Sequence, residues 1–182
     1  TERPSAAAPV QISPEQRYLK AVRDGLTGLY TPQHMSDTVS RWARFQDRDA
    51  DQMVSVIVLD VDGMKGINVA FGNPVGDQVL ARVAEAVRAQ CRDEDLPVRI
   101  GGEVFALFLF GDNPDAAPSL ASLLGSVVRN QTFATQDAPL RVTLSAGTTC
   151  RVHGEPMRQV LARADAARLA SKAAGGDQVE TR

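Results

Sequence analysis

The stretch Met53 to Leu59 is β-branched and apolar almost throughout, and it runs into Asp60–Val61–Asp62. A strand of that composition is buried on both faces, so helices must cover the sheet above and below. The flanking sequence supplies them. Apolar residues at Val79, Leu80, Val83 and Val87 predict a helix from Val75 to Val87. Further helices are predicted from about Asp115 to Val128 and from Glu155 to Lys172, the last ended by Gly175–Gly176. Val98 to Ile100 and Val104 to Phe110 read as strands separated only by Gly101–Gly102–Glu103, a hairpin. Leu140 to Cys150 reads as one more strand. Strands and helices alternate around one hairpin, which predicts an α/β (α+β) domain with a central sheet of mixed strand order.

Upstream, Thr1 to Ile12 is rich in Ala and Pro and reads as a tail or linker. Ser13 then Pro14 is an N-cap followed by proline at the first helical position, starting a lead-in helix through Arg23. Such a helix often continues from a preceding module, so the chain is expected to be the output end of a longer protein. Thr31–Pro32 restarts a helix carrying Met35, Val39 and Trp42 on one face. A formal charge of −2 gives no general attraction to nucleic acid polymers or membranes, and no apolar run is long enough to span a bilayer. Cys91 and Cys150 lie in apolar segments and read as buried thiols of a reducing, cytoplasmic setting. His34 and His153 are not spaced with them as zinc ligands.

Asp60 ends the first strand and Glu103 sits at the hairpin turn. If those strands are neighbours their carboxylates converge, and magnesium takes one or two carboxylates together with phosphates and water. Gly63, Gly66, Gly72 and Gly76 crowd the loop after Asp60, where backbone can approach a triphosphate, and Lys65 adds positive charge. Acids and glycines at strand ends are also ordinary turn chemistry, and the pattern alone leans that way. Phe105, Phe108 and Phe110 read as packing residues, and Arg158, Arg163 and Arg168 as a solvated helix face.

Longer segments shift that balance. Asp24–Gly25–Leu26–Thr27–Gly28–Leu29 resembles the D-x-L-T-G-L opening of GGDEF domains, the diguanylate cyclases. Leu59 to Asn68 resembles their D-x-D-x-F-K-x-I-N segment, and Gly72 to Asp77 their G-H-x-x-G-D. Gly101–Gly102–Glu103–Val104–Phe105 stands at the signature G-G-[DE]-E-F. Thr143 to Gly147 is similar to T-x-S-x-G, and Ala164 to Lys172 to the closing A-D-x-A-L-Y-x-A-K. The matches run in order from Asp24 to about Asp177. The resemblance implies a ferredoxin-like, polymerase-palm sheet of about five strands. It also implies two GTP-loaded domains meeting face to face to make cyclic di-GMP. Carried over position by position, Asp60 and Glu103 would hold Mg2+, Asn68 and Asp77 would read guanine, and Lys65 and Lys172 would touch phosphate.

The departures carry their own expectation. Val104 replaces the acid at the fourth signature position and can neither ligate metal nor take a proton; loss of such a group costs about 10²–10⁴-fold in rate. Gly176 replaces an arginine, Asn73 a histidine, and Gly63–Met64 an aromatic-bearing pair. These changes predict a domain without useful cyclase activity, and leave GTP or GDP binding open because the guanine-reading and metal-binding positions are kept. Arg92–Asp93–Glu94–Asp95 resembles the R-x-x-D product site of the family, at the usual offset before Gly101. Arginine grips phosphate or a guanine edge bidentately, and Asp95 accepts from guanine N–H groups. Leu123 occupies the place of an arginine that sometimes completes this site, with Arg88 or a partner's arginine as the candidate substitute. The expected function is a cyclic di-GMP receptor resembling response-regulator output domains, with receiver domains upstream, a protein partner downstream, or a homodimer. An active, product-inhibited cyclase and a GTP-sensing regulator are the alternatives.

Overall fold

One strand, whose successive residues face two different cores, organises the molecule. In the computed structural model, which describes residues 13–46, 53–111, 113–135 and 139–182, β1 (Val54–Val61) is buried along its whole length. Its residues divide by parity: Ile57, Leu59 and Val61 join one apolar cluster, whereas Val54, Val56 and Val58 join another. That is the two-residue period of a pleated strand with a core on each side. The expected tail, Thr1 to Ile12, lies outside the described residues.

From the amino end, α1 (Pro14–Val22) and α2 (Pro32–Gln46) precede β1. Next come α3 (Met64–Phe71), α4 (Asn73–Gln90), β2 (Leu96–Gly101), β3 (Val104–Phe110) and α5 (Ala116–Asn130). β4 (Leu144–Cys150), α6 (Met157–Ala173) and β5 (Val179–Thr181) complete the order. The strands form one mixed five-stranded sheet, β2-β3-β1-β4-β5, antiparallel except for the β4–β5 pair. Residues of α4 and α5 pack on the Ile57–Leu59–Val61 face, and residues of α2 and α6 on the other. Among the described residues no helix is long and apolar enough to cross a membrane.

α1 starts with a capping box: Ser13 Oγ accepts from Gln16 N at 3.2 Å while Gln16 Oε1 accepts from Ser13 N at 3.0 Å. None of its residues is buried, so it stands off the core as a lead-in. The loop that follows is tied down. Tyr30 N donates to Pro97 O and Arg99 N to Tyr30 O, each at 3.0 Å, which docks the loop on the free edge of β2.

Three expectations change. The glycine-crowded stretch after Asp60 is not a loop throughout but holds α3, because Met64 and Ile67 bury against the core. Gly63 begins that helix with φ 72°, a conformation that favours glycine. The strand expected from Leu140 starts only at Leu144, preceded by an isolated bridge between Phe133 and Leu140. Arg163 and Arg168 are not on a solvated face. Arg163 binds Glu155 and the carbonyl of Cys150, and Arg168 is 9% exposed.

Gly147 shows how closely α6 is seated. A Cβ there would lie 2.0 Å from Ala164 O and 2.2 Å from Arg168 N, both backbone atoms of the helix. Gly147→Ala is therefore expected to cost about 3 kcal/mol or more by forcing α6 off β4, read as a lowered midpoint in urea unfolding.

Candidate functional site

Two strand ends and two helix starts share one rim of the sheet. Register places Asp60 of β1 opposite Val104 of β3, and Val61 N donates to Glu103 O at 3.2 Å, so the hairpin turn closes beside the end of β1. The turn is held from below by Arg99, which sequence reasoning missed. Its Nε and Nη2 donate to Gly102 O at 3.1 and 2.9 Å, and its Nη1 to Asp24 Oδ1 at 3.0 Å. Asp24 also accepts from Thr27 N and Thr27 Oγ1 at 2.8 and 2.6 Å. Burial pushes the Asp24 carboxyl up, but these donors and the Arg99 charge outweigh it and hold it below its usual range. The opening loop and the signature hairpin are thus one hydrogen-bonded unit.

The second aspartate of the β1 end is a fastener. Asp62 Oδ2 accepts from Thr143 Oγ1 at 2.7 Å and Oδ1 from Ser145 Oγ at 2.6 Å, while Asp177 N donates to Oδ2 at 3.1 Å. The T-x-S pattern is explained by this: two hydroxyls one pleat apart clasp a single carboxylate. Asp177 has φ 56° and binds Arg129 Nη2 at 2.5 Å, which fixes the turn leading into β5.

Across the junction of α3 and α4, Asn68 packs against Gly76, the residue before Asp77. Asn68 Oδ1 is buried without a hydrogen-bond partner. It lies where a Cβ on Gly76 would be, 1.9 Å away, so glycine is required next to Asp77 for the helices to meet. Asp77 and Lys65 are exposed at this rim. A buried carbonyl without a partner costs free energy, so Asn68 Oδ1 is a polar group that the fold itself does not satisfy.

Asp60 is the most enclosed acid of the group, 3% exposed. Arg168 Nη1 binds its Oδ2, and Lys172 Nζ lies 2.6 Å from Oδ1 without hydrogen-bond alignment. Arg168 Nε also binds Asp165 Oδ1 at 2.8 Å. Asp60 and Glu103 offer the carboxylate oxygens that suit Mg2+ chemically, but both Asp60 oxygens already face cations of α6, so a metal ion there would have to displace one. At position 168 the closing motif that this segment resembles has leucine. An open cleft lined by Ile100, Val104, Leu161, Asp165 and Arg168 adjoins the ion pair. Val104 therefore sits on the same face as Asp60, among apolar neighbours.

Arg92 and Asp95 lie elsewhere, at the opposite ends of β1 and β3. Arg92 N donates to Asp95 Oδ2 at 2.9 Å, and the Arg92 side chain is 72% exposed, 3.9 Å from Glu94. Both line a cleft of about 400 Å³ with Ser55, Asn113, Ser119 and Leu123. Burial raises the Asp95 carboxyl above its ordinary value, against the Arg92 and Phe110 amides that lower it. Leu123 does stand in this cleft. Arg88 does not line it; its Nη1 is 2.7 Å from where a Gly28 Cβ would be, over the opening loop. Among the described residues, no group of three or more His, Cys, Asp or Glu side chains is arranged to hold a metal ion.

Residues 21–178 match the family described as diguanylate cyclase, GGDEF domain. The chain is a GGDEF domain of the diguanylate cyclase family. It is 34% identical over 166 residues to the diguanylate cyclase DgcP of Pseudomonas aeruginosa, covering 91% of the chain and 25% of DgcP. It is 32% identical to the response regulator PleD of Caulobacter vibrioides, covering 87% of the chain and 36% of PleD. The coiled coil and GGDEF domain of DgcB from Caulobacter crescentus, solved with c-di-GMP, superposes with a TM-score of 0.87 at 27% identity, covering 92% of this chain and 89% of that one. The chain thus spans about a quarter to a third of the two curated relatives.

These relatives overturn the expectation of an enzymatically silent domain, since a protein named as a diguanylate cyclase aligns along nearly the whole chain. Val104 changes one side chain on a hairpin whose backbone, whose Glu103 and whose neighbour Asp60 remain in place. The family fold, by contrast, is as expected: a mixed five-stranded sheet flanked by helices.

Asp62→Ala should lower unfolding stability by about 2–4 kcal/mol, since it strands two hydroxyls and an amide at once. Thermal unfolding followed by circular dichroism measures this.

Proposed function

We propose that this GGDEF domain joins two GTP molecules, one held by each of two facing copies, into cyclic di-GMP, and that the product restrains it at Arg92 and Asp95. The observation that supports this most is the Asp60–Val104 register, which sets Asp60 and Glu103 on one rim with Asn68 and Asp77. Asn68 and Asp77 take the guanine edge, Asp77 as a paired acceptor for its N–H groups. Lys65 and Lys172 supply positive charge to the phosphates. Mg2+, held by Asp60 and Glu103, would offset triphosphate charge. The 3′-hydroxyl of one nucleotide attacks the α-phosphorus of the other and expels pyrophosphate, and the reciprocal attack closes the ring. A single domain presents one nucleotide, so two copies are required.

Val104 sets the rate. It lies beside Asp60, where a carboxylate would assist removal of the hydroxyl proton. Incubation with GTP and magnesium, resolved by chromatography, should yield cyclic di-GMP. Val104→Glu should raise kcat about 10²-fold or more with little change in KM. Asp77→Ala should raise KM for GTP about 10- to 100-fold, the worth of a bidentate base contact. Absence of product from every variant would overturn the reading.

The product site rests on the Arg92–Asp95 cleft, whose polar wall combines an exposed guanidinium with a buried carboxylate. Calorimetric titration should show cyclic di-GMP binding that Arg92→Ala abolishes. Asp95 accepts a pair of guanine N–H groups with both oxygens only when ionised, and its pKa is raised. Affinity should therefore fall in mildly acid solution, beginning above the pH at which an ordinary aspartate titrates. The same raised pKa means ionised Asp95 is a burden on the free fold: its stability contribution is present below the unfolded-state pKa and is lost as pH rises through the folded one. Asp95→Asn should bind more weakly at neutral pH and lose the acid dependence.

A further inference from the structure

We propose that Arg168 is a tethered cation that competes with a divalent metal ion for Asp60, and so sets how readily the nucleotide rim is loaded. This rests on the reading of Asp60 as a metal ligand, and it adds a regulating residue to that site. Asp60 is held from inside the protein: both carboxylate oxygens face cations of α6, Arg168 on Oδ2 and Lys172 on Oδ1. The pair with Arg168 is nearly closed to solvent, since Asp60 is 3% and Arg168 9% exposed. A divalent ion arriving at Asp60 would meet two positive charges at contact range, in surroundings where water screens them poorly.

The geometry also supplies a way out. Arg168 Nε is already bonded to Asp165 Oδ1 at 2.8 Å, and Asp165 is partly exposed, lining the open cleft beside Val104 and Leu161. Arg168 can therefore release Asp60 while keeping one carboxylate partner, which lowers the cost of the move relative to stranding a buried guanidinium. Lys172 is more exposed, with a third of its side chain in solvent, and its contact lacks hydrogen-bond alignment. It yields first, and Arg168 is the gate. Valine at 104 adds to the effect, because no carboxylate on the neighbouring strand offsets the guanidinium. The metal-competent state is then a minor one, and apparent metal affinity is reduced by the fraction of molecules in which Asp60 is free.

Mn2+ binding, followed by the loss of the free-ion electron paramagnetic resonance signal, tests this without nucleotide turnover. Arg168→Leu and Arg168→Gln should each bind Mn2+ about ten-fold more tightly than the unaltered protein, whereas Arg168→Lys, which keeps the charge, should bind as weakly as it does. Adding Asp60→Asn to Arg168→Gln should remove the gain. Equal Mn2+ affinity in the unaltered protein and in whichever of the two neutral variants folds would overturn the proposal, as would a gain that survives Asp60→Asn. A protein that made no cyclic di-GMP would leave this outcome readable, so the two readings fail separately.

Discussion

β1 is packed from both sides, so its register is fixed by two cores at once. A slip of one residue would carry Asp60 from the α6 face into the apolar cluster under α4 and α5. Everything at the rim follows from that alternation. Asp60 faces α6, where two basic side chains wait, and it is paired across the sheet with Val104 on one side and Ser145 on the other. The next carboxylate, Asp62, falls beyond the last paired residue and is free to turn into the Thr143–Ser145 clasp. Two aspartates separated by one valine thus receive opposite tasks. One is presented to the rim and the other is consumed by the fold.

The electrostatics of the rim follow from burial more than from charge count. A carboxylate and guanidinium in contact attract strongly when water is excluded, but removing both from water opposes that attraction, so the net worth of such a pair is small while breaking it is costly. The Asp60–Arg168 pair is of this kind. Its consequence is that a cation at Asp60 has to be exchanged and cannot simply be added. Arg99 shows the contrasting use of the same residue type. It spends its donors on a backbone carbonyl of the hairpin turn and on Asp24, making the opening loop and the signature turn one body.

Much of this was legible in the chain. The doubly buried strand, the hairpin and the long helices announce themselves through local periodicity, because side-chain burial there follows the repeat of the backbone. The Phe105 and Phe108 side chains pack in the core as their strand pattern implied. What escaped was set by distant partners. Arg168 reads as one more surface arginine until β1 places Asp60 beside it, 108 residues away in sequence. Arg99 likewise depends on Asp24, 75 residues away. α3 was hidden by its glycines, whose local preference for turns is overridden once Met64 and Ile67 bury. β5, three residues long, is too short for a periodic signal and exists because β4 offers it a free edge.

The two candidate sites occupy opposite ends of the β1–β3 pair. Asp60 and Val104 mark one end, whereas Ser55, Leu109 and Phe110 border the cleft of Arg92 and Asp95 at the other. Five residue steps along an extended strand span about 17 Å, so a ligand in that cleft cannot touch groups at the rim. β1 and β3 are fully paired and packed on both faces, which leaves them little freedom to transmit a shift. On the proposed reading, a product bound at Arg92 would therefore act on what the domain as a whole can do. If two copies each hold one nucleotide, as proposed, the available lever is the placement of one copy against the other. Arg92, largely in solvent and without a buried partner of its own, is suited to a ligand shared across such a contact.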